Sequence, residues 1–353
     1  MRRPPRQQGV AAAALLRWRA ARLGLLVALV QHASASPAAV SSIDDSSSPV
    51  IGILTQDWDA NHTYMAASYA KFVEMGGGQA VAIHHEAPLW QIRQLYRSLN
   101  GVLLPGGNAG PKYSDALSLL VNLTLEAARG PSGDRVPLLA ICLGFEMLVQ
   151  DVAQNKSVRT APWDSLELPL PLAVHNSSRM FGGMPADLRE HIVNTNVTMH
   201  NHGAGASPEV FLSNARLRAA FDVTSVATDR VGRVFANVIE GKNDMPLYAT
   251  IWHPEMVPFE HELPMIPHSQ LAVRVSQWVG DFFVQQCRES NSRSFPTADA
   301  LASVLITGDA GLLTDCRGDG SQISECYYWE RRSLLHRHAL VGNKTAPPGA
   351  VER

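Results

Sequence analysis

The sequence is short of several things, and each shortage excludes something. Beyond its first 35 residues it has no apolar run long enough to cross a bilayer, so no membrane-spanning helix is expected in the rest of the chain. Its four cysteines, at 142, 287, 316 and 326, are too few for a disulfide scaffold, and no spacing suggests a zinc site. Charged residues are only 18% of the chain and carry no positive excess, with a formal net of −2, which argues against nucleic acid as a partner. What remains, 46% hydrophobic over 353 residues, is the composition of one or two domains with a full-sized core.

The amino terminus is different in kind. Arginines at 2, 3, 6, 17, 19 and 22 precede the apolar run LGLLVALV, and Ala33-Ser34-Ala35 has the small-x-small form of a signal peptidase site. Residues 1–35 therefore read as a cleaved signal peptide, the run being too short for a retained membrane anchor. Cleavage removes six arginines and no acidic residue, taking the formal charge from −2 to −8 and leaving no membrane attachment. Six acceptor sequons, at Asn61, Asn122, Asn155, Asn176, Asn196 and Asn343, suit an exported glycoprotein. The expected destination is the extracellular space or a lysosome or vacuole. Cys316 and Cys326 lie close together in a polar tail and could pair.

After a polar linker at 36–49, the chain alternates strand with helix. VIGILT at 50–55 reads as a buried parallel strand, TYMAASYAKFVEMG at 63–76 as a helix, and AVAIHH as a second strand. A helix follows from Pro88, then the strand of GVLLPGG at 101–107, a leucine-rich helix from Asp115 to Ala128, and the strand LLAI. This is the α/β pattern of a doubly wound, mostly parallel sheet with helices on both faces. From Ser165 to Val174 and from Asp222 to Glu240 the pattern becomes strand-like, predicting antiparallel strands added to that sheet. An apolar strand then ends in His253-Pro254-Glu255. A last helix runs from Ser269 to Cys287, with Leu271, Val275, Trp278, Phe282 and Phe283 as its buried face. The domain is expected over 50–288, and residues 289–353 read as an extension of unknown role, appended or disordered.

The stretch LLAICLGFEMLVQ, 138–150, organises the rest: an apolar strand ends at Cys142 and a helix begins at once. Such an elbow holds a side chain out at the carboxyl end of a sheet strand, near a helix amino terminus that favours a thiolate. The same pattern also fits a buried, inert cysteine. His253 ends a later strand 111 residues on, and a doubly wound sheet brings strand ends to one edge, where ligands bind. A histidine in reach of the thiol can take its proton, and Glu255, two residues further, can hold the imidazole in the productive tautomer.

CLGFE at 142–146, WHPE at 252–255, PGG at 105–107, IGILTQ at 51–56 and TYMAASY at 63–69 resemble gamma-glutamyl hydrolase, the folate conjugase branch of the class I glutamine amidotransferase-like superfamily. The resemblance runs from about Val50 to Cys287. It implies Cys142 as nucleophile, His253 as general base, Glu255 as its orienter, and the N–H groups of Leu143 and Gly107 as the oxyanion hole. It implies Tyr64, Glu146 and His202 as substrate contacts, folyl-poly-gamma-glutamate as substrate, and no metal or organic cofactor. A homodimer is compatible with it. Met256, standing where vertebrate members have lysine, and the Asn108-Ala109-Gly110 segment depart from the family and bear on how substrate carboxylates are gripped. A glutaminase, another gamma-glutamyl amide hydrolase, or an inactive binding glycoprotein of the same fold would share most of these features.

Overall fold

The computed structural model describes residues 48–107, 109–130, 134–290, 293–307, 312–316 and 322–331. The signal peptide, nearly all of the linker, Asn108 and Asn343 lie outside them. Strand β1 (Val50–Leu54) is followed by β2 (Gln56–Asp57), β3 (His62–Ala66), helix α1 (Ala67–Met75), β4 (Gln79–Ile83), α2 (Leu89–Tyr96), β5 (Gly101–Leu104), α3 (Pro111–Arg129), β6 (Leu138–Ile141) and α4 (Leu143–Ala153). Then come β7 (Ser165–Leu170), β8 (Thr198–His202), β9 (Phe221–Thr228), β10 (Val234–Gly241), β11 (Leu247–Thr250), α5 (Gln270–Glu289), β12 (Leu312–Asp315) and β13 (Glu325–Glu330), with short helical turns between.

A seven-stranded sheet in the order β4-β1-β5-β6-β11-β10-β9 forms the centre. Its first five strands are parallel, and β10 and β9 extend it antiparallel. Both faces are buried, so the parallel strands are apolar throughout rather than alternating. Ile51, Ile53, Leu103, Leu139 and Ile141 face one layer with Phe72 of α1 and Val275, Val279 and Phe283 of α5. Val50, Leu54, Val102, Leu104, Leu138 and Ala140 face the other, against Ile92 of α2, Leu117 and Leu120 of α3 and Leu148 of α4. The doubly wound, mostly parallel α/β fold expected from the alternation is therefore the fold observed.

Three local expectations change. The segment 63–76 is not helical throughout: His62–Ala66 is β3, because it pairs antiparallel with β13 from the far end of the chain. Local periodicity cannot report a partner some 260 residues away. Strand β7 does not join the main sheet but pairs with β8 alone. The buried stripe of α5 runs through Val275, Val279 and Phe283, leaving Leu271, Trp278 and Phe282 half-buried at its flank.

The extension after residue 288 is, where described, neither separate nor structureless. Ile306 and Trp329 are 3% exposed and belong to the core on the α1 face. Strand β13 completes a four-stranded antiparallel sheet, β12-β13-β3-β2, and Cys316 and Cys326 form a disulfide. Within ECYYWE, Trp329 is buried in the core, and Tyr327 and Tyr328 are half-buried. Among the described residues no helix is long and apolar enough to cross a membrane.

Candidate active site

Cys142 occupies the single residue between β6 and α4. Its φ of 50° and ψ of −107° are a left-handed backbone that side chains rarely adopt. The surroundings hold it there: its N–H donates to the carbonyl of Thr250 (2.9 Å) and its carbonyl accepts the N–H of Glu146 (3.0 Å). The thiol is thus fixed at the strand ends of β5, β6 and β11. None of the hydrogen bonds among the described residues uses the N–H groups of Leu143 or Gly107. Leu143 belongs to the first turn, where helix geometry leaves amide donors without intrahelical acceptors.

His253 follows β11 and is placed by its N–H, which donates to the carbonyl of Met199 (2.8 Å). Its Nδ1 lies 2.6 Å from Oε1 of Glu255, which leaves Nε2 for the Cys142 thiol lying beside it. Burial by itself would push the imidazole toward neutrality. The negative charge of Cys142 and of Glu255 outweighs it and holds His253 protonated well above the usual histidine range.

The glycine pair lets the β5 loop come this close. A Cβ on Gly106 would meet His253 Cε1 at 2.8 Å and Cys142 Cβ at 2.9 Å; Gly107, with φ of 130°, would place one 2.5 Å from Gln56 Oε1. Sequence reasoning misses Tyr69, which looks like one more residue of an apolar helix face. Its hydroxyl accepts the Gly106 N–H (2.8 Å), and buried among Glu255 and Cys142 it stays protonated far above the ordinary phenol range, chiefly through burial.

These groups open on a cavity of about 610 Å³, lined by Tyr64, Tyr69, Gly107, Cys142, His253 and Glu255 among others. Tyr64 is where it was expected, its phenol pushed up to about 12 by burial. Met256 lines the cavity as well, and Gln322 and Ile323 of the extension form part of its wall. Ser324 N–H donates to Glu260 (2.7 Å), and Gln322 hydrogen-bonds Asn201, tying that wall to the body.

Two expected contacts are not among the lining residues. His202 is 3% exposed; its Nδ1 donates to the carbonyl of Ala204 (2.8 Å) and its other nitrogen faces His200 (3.3 Å). Burial lowers its pKa to about 4, so it is a neutral ring packed on Phe235 rather than a charged donor facing the cavity. Glu146 is 4% exposed and is ion-paired with Arg159; burial raises its carboxyl, and the guanidinium opposes that.

One cluster has the ligand atoms of a metal site: Asp57, His85 and Glu86, within 4.8 Å of one another. Arg331 supplies the cation there, pairing with Asp57 (2.6 Å) and with Glu86. The cluster reads as the anchor of the end of β13, with His85 also bound to Thr55 (3.0 Å).

Comparison with known proteins identifies the family. The profile of the family described as Glutamine amidotransferase class-I matches residues 59–271. The chain is 33% identical over 272 residues to gamma-glutamyl hydrolase B of Dictyostelium discoideum, covering 73% of this chain and 77% of that protein. It is 34% identical over 269 residues to gamma-glutamyl hydrolase of Rattus norvegicus, covering 73% and 83%. With probable gamma-glutamyl hydrolase 3 of Arabidopsis thaliana the identity is 30% over 293 residues, covering 77% and 82%.

Proposed function

Because the chain belongs to the gamma-glutamyl hydrolases of the class-I glutamine amidotransferase family, we propose that it is a cysteine-dependent hydrolase of gamma-glutamyl bonds in folyl and antifolyl poly-gamma-glutamates. The observation that carries this reading is the meeting of Cys142, His253 and Glu255 at one end of the sheet, beside two backbone N–H groups with no other acceptor among the described residues. Cys142 Sγ attacks the gamma-amide carbon, and the carbonyl oxygen becomes an oxyanion between the N–H groups of Leu143 and Gly107. His253 gives its Nε2 proton to the departing nitrogen, the C–N bond breaks, and a thioester remains. Water then attacks the thioester, losing a proton to His253, and the thiolate leaves. Glu255 keeps Nδ1 protonated throughout.

Incubation with pteroylpentaglutamate, followed by mass, tests the reading. It expects release of glutamate or short poly-gamma-glutamate; turnover of glutamine with none of the folate chain would replace it with a glutaminase, and no turnover of either with a binding protein.

We also propose that the protein enters the secretory route. Supporting this, besides the leader, are the exposure of Asn61, Asn122, Asn155, Asn176 and Asn196, and a disulfide of the kind that persists in oxidising compartments.

A further inference from the structure

Cys142 lines one cavity, and its chain neighbour Leu143 lines another. The second, also of about 610 Å³, shares Gly107 with the first and is lined further by Leu143, Met147, Lys156, Arg159 and Asp115. Both oxyanion donors thus border it. His253, which must meet the departing nitrogen, lines the first cavity and not the second. A tetrahedral carbon bonded to Sγ, with its oxygen on Leu143 and Gly107 and its leaving group toward His253, has one direction left for the acyl chain. We infer that this direction is the second cavity, because both donors border it and His253 does not.

The cations there are arranged to take an anion. Arg159 Nε bonds the carboxylate of Glu146, which is buried behind it, and none of the hydrogen bonds among the described residues uses its two terminal amino groups. Lys156 is exposed and forms no ion pair among the described residues. A guanidinium fixed along one edge presents the other edge as a planar fork, which suits a carboxylate. Glu146 already balances part of that charge and Asp115 opposes a second anion, so the cavity suits one carboxylate rather than several.

We propose that this cavity binds the alpha-carboxylate of the gamma-glutamyl residue that becomes acylated on Cys142, with Arg159 and Lys156 as donors and Glu146 as the positioning residue that fixes Arg159. The proposal rests on the gamma-glutamyl reading of the site. It gives Glu146 a role through Arg159 rather than by direct contact.

The test compares two substrates: p-aminobenzoyl-gamma-diglutamate, and its analogue in which only the acylated glutamate carries an alpha-carboxamide. Wild type should favour the carboxylate in kcat/KM by about tenfold or more, the value of one charge-assisted contact. Arg159→Gln should bring that ratio to within about threefold, mostly through KM, and Lys156→Gln should narrow it in part. Since Arg159→Gln leaves Glu146 buried without its partner, the double variant Arg159→Gln/Glu146→Gln, with a neutral pair, gives the same reading if the single variant does not fold. Equal rates on the two substrates in wild type, or an undiminished ratio in the Arg159 variants, overturns the subsite. Hydrolysis of neither substrate by wild type would instead overturn the gamma-glutamyl function on which it rests.

Discussion

His253 Nδ1 and Glu255 Oε1 meet at 2.6 Å with both side chains no more than 7% exposed, so the carboxylate is removed from water and committed to the ring. In the proposed mechanism this pair sets both activity and its dependence on pH.

His253→Ala should lower kcat/KM by about a thousandfold, within the range for losing a general acid and base. Glu255→Gln should cost less, since it disturbs tautomer and orientation but removes no proton carrier. Steady-state rates from pH 4 to 8 check the order. A His253 variant with wild-type activity anywhere in that range would remove it from the mechanism.

The same pair links stability to pH. The folded pKa of His253 lies above its unfolded value, so its contribution is whole below about pH 6.5 and is lost as pH rises through the folded value. Urea unfolding of wild type against His253→Ala should show the largest gap near pH 5 to 6 and a smaller one in alkali. A gap widening with pH would contradict the assignment.

His202 has the opposite sign. Its folded pKa, about 4, is below the unfolded value, so stability present above about pH 6.5 should fall by roughly 3 kcal/mol on acidification to pH 4. His202→Gln should flatten that slope. An equal slope in wild type and variant would mean that the ring is not held neutral by burial.

The elbow carries strain that a glycine would relieve. Cys142→Gly and Cys142→Ala should both be inactive, but the glycine variant should be the more stable by about 1 kcal/mol, because only glycine adopts this backbone freely. An alanine variant as stable as the glycine variant would show that the strain costs nothing.

Much of this is legible in the sequence. The parallel core can be read because strands buried on both faces are continuous apolar runs, and Cys142 and His253 because each follows such a run, with Glu255 two residues beyond His253. Tyr69 is hidden by its place on a helix face that also packs the core, and β3 by a pairing partner at the far end of the chain. His202 and Glu146 are expected as substrate contacts, but neither lines the catalytic cavity. The sequence does not show that Ala204, His200 and Arg159 already occupy their polar atoms.

The carboxy-terminal segment is expected to matter to the site. Truncation after Thr307 removes β13, Gln322 and Ile323, leaving β3 without one neighbour and the cavity without part of its wall. Lower stability and a raised KM should follow, and reducing the Cys316–Cys326 bond alone should cost about 2 to 3 kcal/mol. A truncated chain with unchanged KM and unfolding midpoint would make the segment an ornament.

Export predicts a mature amino terminus at or near Ser36 and a loss of mass on glycosidase treatment. Sequencing that found Met1 on an unglycosylated chain would contradict it.

The most direct test of the central claim is rapid quenching of the enzyme with folyl-poly-gamma-glutamate in acid, followed by mass measurement of the peptide that contains Cys142. The account predicts a folyl-glutamyl thioester on that cysteine, formed before steady state and absent from Cys142→Ala. A substrate that is hydrolysed with no adduct on Cys142, or at a wild-type rate by Cys142→Ala, would contradict it.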